Sequence, residues 1–275
     1  MPSGLHTNSE PKRVVVAGDW HGNRDFAARV ITTAAASGVQ IIVHVGDFGF
    51  RNPGPETARY LDAVDESCVE HGVQIFWIEG NRDNLPALSQ LPVDPETGLR
   101  SVRPHLTHLP RGTRWSWRGR TWLALGGSYS LNRRESTWGV HWWNGERLTD
   151  TDIARAISGG PADVMITHDS PDRTDLMSHI AHGDYTDEHR FAAQQHRNAL
   201  GRVVDAVAPG TLFHGHYHLR HTTERPLPGG GHTRVVGLSS DRESVDENWI
   251  IVDMSGESGT GVTPAPIAAK LVAHQ

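Results

Sequence analysis

A single cysteine, Cys68, stands in 275 residues, so no internal disulfide can form and thiol-rich zinc motifs are absent. Any transition metal must then be held by His, Asp and Asn. No apolar stretch approaches the ~20 residues a membrane span needs. The opening segment, Met1 to Lys12, is polar and carries Pro2 and Pro11. The expectation is a soluble protein without a secretory signal, in a reducing cytoplasm and away from membranes. Positive charge is also in short supply. The formal net charge is -6, which leaves no basic surface for long nucleic acids, so an anionic substrate would be drawn by a local site and a small one is favoured. No internal repeat or long low-complexity linker interrupts the chain, and 37% hydrophobic content suffices for one large core.

Histidine, with 18 residues, and tryptophan, with nine, are in excess. Five short segments stand out, three of which carry four of the histidines: Gly18-Asp19-Trp20-His21, Gly46-Asp47, Gly80-Asn81-Arg82-Asp83, Thr167-His168-Asp169 and Gly215-His216-Tyr217-His218. Each follows a hydrophobic run, so each is expected where a buried strand gives way to a loop, the edge at which open α/β sheets gather their sites.

The pattern between the clusters reads as βαβ in the first half. Arg13 to Ala17, Val39 to Val45 and Val73 to Ile78 are short β-branched runs, too short for helices. Arg24 to Ser37 places Phe26, Val30, Ile31 and Ala34 on one helical stripe, with Gly38 set to cap it. Pro55 starts a second helix that Gly72 stops. Residues 111 to 125 alternate around Arg118-Gly119-Arg120, a hairpin signal with Trp115, Trp117 and Trp122 on its apolar face. Thr149 or Asp150 caps a further helix, Ala162 to Ile166 is a buried strand, and Leu200, Val203, Val204 and Val207 mark a long amphipathic helix. Leu212-Phe213 leads into the last histidine cluster. Residues 226 to 231 form a turn before strands at His232 to Leu238 and Trp249 to Val252. One α/β domain of two stacked sheets with flanking helices is the expected architecture.

Residues two apart in an extended chain point the same way, so Asp19 and His21 can chelate one ion together, as can His216 and His218 with Tyr217 turned away. Asp47 and Asn81 arrive singly. A carboxylate can bridge two cations where an amide oxygen can only terminate one, which makes Asp47 the natural bridge. Asp19, His21, Asp47, Asn81, His168, His216 and His218 give donors enough for two divalent ions with positions left open, the mark of a catalytic site. Manganese is expected, with iron, zinc, cobalt or nickel as alternatives.

Asp-x-His, Gly-Asp, Gly-Asn, a strand-terminal His and a closing Gly-His-x-His, in this order, resemble the calcineurin-like metallophosphoesterase superfamily over roughly residues 13 to 252. The resemblance implies a single four-layer αββα sandwich with a core of about 13–253 and peripheral segments at 1–11 and 254–275. It further implies Asp19, His21, Asp47 and His218 on one ion, and Asp47, Asn81, His168 and His216 on the other. The segment from Gly126-Gly127-Ser128 through Trp142-Trp143 to Glu146 resembles a stretch of small bacterial and phage-type members.

One position departs from the pattern. The family usually reads Gly-Asn-His-Asp or Gly-Asn-His-Glu, where the His is thought to protonate the leaving oxygen or stabilise the transition state; here Arg82 stands in its place. A guanidinium cannot be a general acid near neutral pH, but its fork can clamp a phosphate oxygen. Asp83 is expected to orient Arg82 through a charge-assisted hydrogen bond. The expected function is attack by metal-bound hydroxide on small cyclic-nucleotide or aryl phosphodiesters, whose leaving groups need least help. A phosphomonoesterase or protein phosphatase-like activity, a non-catalytic metal-binding interaction protein, and a metal store are the alternatives. Among other candidates, His44 reads as a half-buried packing histidine, His214 as a support behind the ligands, and Cys68 as a small buried hydrophobe. Trp142 and Trp143 are either mouth or core, and His141 is a conceivable replacement acid.

Overall fold

The computed structural model describes residue 5, residues 10–176 and 185–256, and the backbone of 263–264. The remainder of the two terminal segments read as peripheral lies outside the described residues. The first sheet has seven strands, in the order β13 (Thr263–Pro264), β12 (Trp249–Asp253), β1 (Arg13–Ala17), β2 (Ile41–His44), β3 (Gln74–Trp77), β5 (Leu106–His108) and β4 (Arg100–Arg103). The second has six, in the order β10 (His221–Pro226), β11 (His232–Gly237), β9 (Thr211–His214), β8 (Val164–Thr167), β7 (Arg120–Leu125) and β6 (Arg114–Trp117). Both sheets are mixed. Strands β1, β2, β3 and β5 run parallel, as do β7, β8, β9 and β11, while the outer strands pair antiparallel.

Alternation along the strands builds the layers. Val14 and Val16 of β1 point between the sheets, with Val43, Phe76, Trp122, Ala124, Ile166 and Phe213. Val15 and Ala17 point outward to the buried faces of α1 (Arg24–Ala36) and α2 (Pro55–His71). Leu123, Met165 and Leu212 on the outer face of the second sheet meet α4 (Asp150–Ser158) and α5 (Asp187–Val207). The result is the expected αββα sandwich, in which central strands are apolar on both faces.

The helix boundaries follow the expected chemistry. Gly38 and Gly72 adopt left-handed φ of 72° and 63° at the ends of α1 and α2. Thr149 and Asp152 form a reciprocal capping box at α4. Arg118 and Gly119, with φ of 51° and 71°, turn the β6–β7 hairpin, and Trp115, Trp117 and Trp122 are buried between the sheets. Cys68 is buried on α2, and burial pushes its thiol up to about 12. Two short helices complete the described elements used below: α3 (Leu85–Leu88), and α6 (Val245–Asn248), whose Asn248 Oδ1 accepts from Trp20 Nε1 at 3.0 Å and so ties the first ligand loop to the first sheet. No helix among the described residues is long and apolar enough to cross a membrane.

Candidate metal centre

Five loops meet at one edge of the double sheet. The C-terminal ends of β1, β2 and β3 lead to Asp19, Asp47 and Asn81, and those of β8 and β9 lead to His168 and His216. Because these strands run parallel within their sheets, their ends lie side by side, and the stacking of the sheets brings the two sets together.

Asp19, His21, Asp47 and His218 each place a donor atom within 4.8 Å of the others, a group that could hold a metal ion. Asp47 lies between two imidazoles: its Oδ2 is 3.3 Å from His21 Nε2 and its Oδ1 is 3.4 Å from His168 Nε2. Asn81 Oδ1 is 3.1 Å from His168 Nε2, and the His168 and His216 rings lie 5.1 Å apart. The His216 backbone N–H donates to Asp19 Oδ1 at 3.0 Å. All seven residues singled out as metal donors are therefore gathered in one place.

The backbone reaches this arrangement by a different route from the expected one. Asp19 and His21 have φ of 56° and 50°, His216 and His218 have φ of 69° and 54°, and Asp47 has φ of 53°. These pairs are not two teeth of an extended strand. Left-handed turns aim them, and Asp and His are among the non-glycine residues that enter this region most readily.

The donor set fits a first-row divalent ion: carboxylate, imidazole and amide oxygen without thiolate. Burial opposes ionisation of Asp47, yet the His168 and His21 imidazoles hold its carboxyl well below the usual range. Burial would lower His21, but the carboxylates of Asp241 and Asp47 push it up to about 10, and His168 is carried to about 9 chiefly by Asp47 against its own burial. The same carboxylates that favour positive charge on these imidazoles would favour a bound cation. Glycine clears the space. A Cβ on Gly80 would run into Asp47 Oδ1, and one on Gly215 into Asp19 Oδ2.

The imidazoles are fixed from behind. His168 Nδ1 donates to the Val45 carbonyl at 2.9 Å, and His21 Nδ1 meets Asp241 Oδ1 at 2.8 Å, which leaves each Nε2 facing the cluster. Asn23 Nδ2 donates to the other Asp241 oxygen at 3.0 Å. Tyr217, expected to turn away from its neighbours, instead lines the cavity with its ring edge-on to His216 at 4.7 Å, and its hydroxyl donates to Asp169 Oδ1 at 2.6 Å, whose Oδ2 meets His196 Nδ1 at 2.7 Å. Asp241 was not legible in the sequence, since no local motif surrounds it and its partner lies more than two hundred positions away.

Several expectations need correction. Asp83 does not orient the Arg82 side chain. Its carboxylate is buried and accepts from the backbone N–H groups of Phe48, Gly49, Phe50 and Gly80 at 2.8 to 3.1 Å, so it clasps the Asp47 loop to the Asn81 loop. Burial first, and then the charge of Asp47, push it up to about 6. Arg82 does line the site, and its backbone N–H donates to Asp47 Oδ1 at 2.8 Å. His44 is fully buried, edge-on to Trp20, and burial lowers it to about 3. His214 packs behind the ligand loop with its Nε2 3.0 Å from His221 Nε2. His141 accepts from the Thr137 N–H within its own loop, and neither it nor Trp142 and Trp143 lines the cavity at the centre.

That cavity, of about 390 Å³, opens over Asp47, Asn81, His216 and His218. Three guanidinium-bearing residues, Arg51, Arg82 and Arg242, stand along its wall with Asn132 and Tyr185. Arg51 also donates to the His21 carbonyl at 3.2 Å. A wall of this kind suits an anion.

The model of the calcineurin-like phosphoesterase family matches residues 12–220, well over half of the chain. The chain belongs to the calcineurin-like phosphoesterases. Among curated proteins none matches. Solved structures with the same fold include a dimetal phosphatase from Danio rerio, at 11% identity and a TM-score of 0.53, covering 89% of this chain and 93% of that one. The protein TT1561 of Thermus thermophilus is similar at 12% identity and a TM-score of 0.52, covering 88% of this chain and 94% of that one. At these identities the likeness bears on the fold alone. Membership of the calcineurin-like phosphoesterases, a metal-dependent family, makes phosphoric ester hydrolysis the activity to which the Asp and His cluster belongs.

Proposed function

We propose that this phosphoesterase is a dinuclear enzyme that hydrolyses small phosphodiesters, with Asp19, His21, Asp47 and His218 around one ion and Asp47, Asn81, His168 and His216 around the other. The observation that carries the reading is the position of Asp47, whose two oxygens face His21 on one side and His168 on the other. A carboxylate so placed is suited to be shared. Manganese is the ion we favour, since a mixed carboxylate, amide and imidazole set without thiolate accepts it.

Bound divalent ions supply Lewis acidity toward the phosphate oxygens and lower the pKa of a water. The protein's own share is positioning and charge. Asp83 holds the Asp47 and Asn81 loops in register through four backbone hydrogen bonds. Arg82, and beside it Arg51, supply permanent positive charge to phosphate oxygens, where a preorganised donor acts most strongly. Among the described residues of the wall, no histidine outside the proposed ligand set stands to protonate the leaving oxygen. Arg82 keeps its proton, and the Tyr217 hydroxyl hydrogen is committed to Asp169. Leaving groups that depart unprotonated, such as phenolates, or that relieve ring strain, as in cyclic nucleotides, suit this site best.

Chelator-stripped protein assayed with and without Mn²⁺ on an aryl diester, a 2',3'-cyclic nucleotide and an aryl monoester tests the reading. The expected result is metal-restored diester cleavage. Asp47→Asn should lose at least about 10³-fold in kcat, on the scale of removing a principal electrostatic group, whereas Arg82→Ala should lose about 10-fold to 10²-fold. Monoester turnover far above diester turnover would reject the substrate class, and equal losses in the two variants would reject the shared role of Asp47.

A further inference from the structure

Asn81 differs from its neighbours at the centre. Its side chain ends in an oxygen that can face a cation and an NH₂ that must not. Which end faces the site is decided by the surrounding hydrogen bonds. Asn81 Nδ2 donates to Ser130 Oγ at 3.0 Å, and Ser130 Oγ donates in turn to Glu146 Oε2 at 2.6 Å. The other Glu146 oxygen, Oε1, accepts from the Ser130 backbone N–H at 3.0 Å and from Arg133 Nη2 at 2.5 Å.

The direction of this chain is forced. An ionised carboxylate only accepts, so the one hydroxyl hydrogen of Ser130 is spent on Glu146. Ser130 Oγ then offers Asn81 lone pairs alone, and the amide must present its NH₂ there. The amide oxygen is thereby turned toward His168 Nε2, 3.1 Å away, where it also accepts from Ser128 Oγ at 2.8 Å. Asn81, Ser128, Ser130 and Glu146 are all buried, so solvent is a poor substitute for a missing partner. Arg133 in turn lies over the Trp142 ring at 3.9 Å, which anchors the far end in the loop that carries the tryptophans.

We propose that Glu146, acting through Ser130, is the positioning group that keeps the Asn81 amide oxygen toward the metal and so sets affinity for the ion on the Asn81 and His168 side. The inference rests on the two-ion reading above. It gives a role to the segment from Ser128 to Glu146, which the ligand set leaves idle. It also separates two kinds of support: His21 and His168 are fixed by acceptors on their own rings, whereas Asn81 is fixed two residues removed.

Calorimetric titration of Mn²⁺ into chelator-stripped protein tests it. In Glu146→Gln the new NH₂ can donate to Ser130 Oγ, which frees the hydroxyl hydrogen to point at Asn81 and favours the flipped amide. One of two Mn²⁺ binding steps should weaken by about 10-fold to 100-fold, the usual cost of losing an outer support of a ligand, while the other step stays unchanged. In an Asn81→Asp background an oxygen faces the site whichever way the group turns, so adding Glu146→Gln there should cost nothing. Should Glu146→Gln fail to fold, Ser130→Ala removes the same link with a smaller change and carries the same expectation of weakening at one step. Unchanged binding, equal weakening of both steps, or the same loss in the Asn81→Asp background would each overturn the relay. The wild-type titration alone decides the two-ion reading: two steps there with no effect of the variant sink only the relay, whereas absence of a second step sinks both.

Discussion

Arg82 stands where the family usually carries histidine, its backbone tied to Asp47 Oδ1 at 2.8 Å and its side chain along the cavity wall. Position and chemistry therefore make separate demands at this residue: the loop needs the N–H, and the substrate meets whatever side chain follows. Arg82→His keeps the first and restores a titratable proton to the second. It is expected to raise kcat for esters with alkyl leaving groups by about 10²-fold, the lower end of what a positioned acid supplies, and to leave aryl diesters nearly unchanged. The ratio of the two kcat values checks it; a uniform change for both would mean the side chain acts by charge alone. The ligands themselves were readable because each is a short local motif at the end of an apolar run. Asp241 was not, because it sits in no motif of its own and meets its partner only through folding, and although Ser130 and Glu146 fall in the segment from Gly126 to Glu146 noted for its resemblance, their link to Asn81 likewise forms only in the fold. Asp83 was misassigned for the same reason: its four N–H donors come from two loops that the sequence keeps apart.

Among the elements, the tryptophan hairpin carries the most concentrated packing. Trp115 and Trp122 face each other across β6 and β7 with ring centroids 5.6 Å apart, and Trp117 meets Trp122 edge-on at the same 5.6 Å. The Nε1 atoms of all three lack a hydrogen-bond partner among the described residues. Their contribution is therefore one of volume and ring contact. Trp122→Ala should destabilise by about 3–5 kcal/mol in urea unfolding, and Trp122→Phe by less than half as much, since the indole N–H has no bond to lose. A Phe variant as unstable as the Ala variant would point to a hidden partner for that N–H. The same elements show where sequence reading stops. Strands β1, β2, β3 and β8 are apolar on both faces and were readable as runs, but β4, β5 and β10 were not. Their sequences, Arg100-Ser101-Val102-Arg103, Leu106-Thr107-His108 and His221-Thr222-Thr223-Glu224-Arg225-Pro226, have too few apolar residues to show a period. β4 and β10 are edge strands, and it is pairing with a neighbour that makes them strands.

At the scale of the molecule, a charged network joins sheet to helix. Arg225 of β10 is fully buried, and its guanidinium donates to Asp205 of α5 and Asp172 at 2.7 Å each, while Arg173 meets Asp205 from the solvent side. Burial would raise the Asp205 carboxyl, but the Arg225 and Arg173 hydrogen bonds outweigh it and hold the carboxyl below its ordinary value. A group depressed in the folded state adds stability above its unfolded pKa of about 3.9 and loses it as pH falls through the lower folded value. Asp205→Asn should thus lower Tm at pH 7 by about 2–4 °C, allowing for the partial exposure of Asp205, and the gap should close below about pH 4. A gap that persists in acid would assign the effect to shape.

The left-handed backbone at Asp19, His21, Asp47, His216 and His218 sets fold and chemistry against each other. Glycine is the residue such φ values favour, so the usual recipe for hardening a protein would place glycine at these very turns. Each such exchange would relax the chain and delete a metal donor in one stroke. A thermostable descendant obtained that way would be a sturdier sandwich with nothing left to grip an ion, and selection for heat resistance alone would steer toward it.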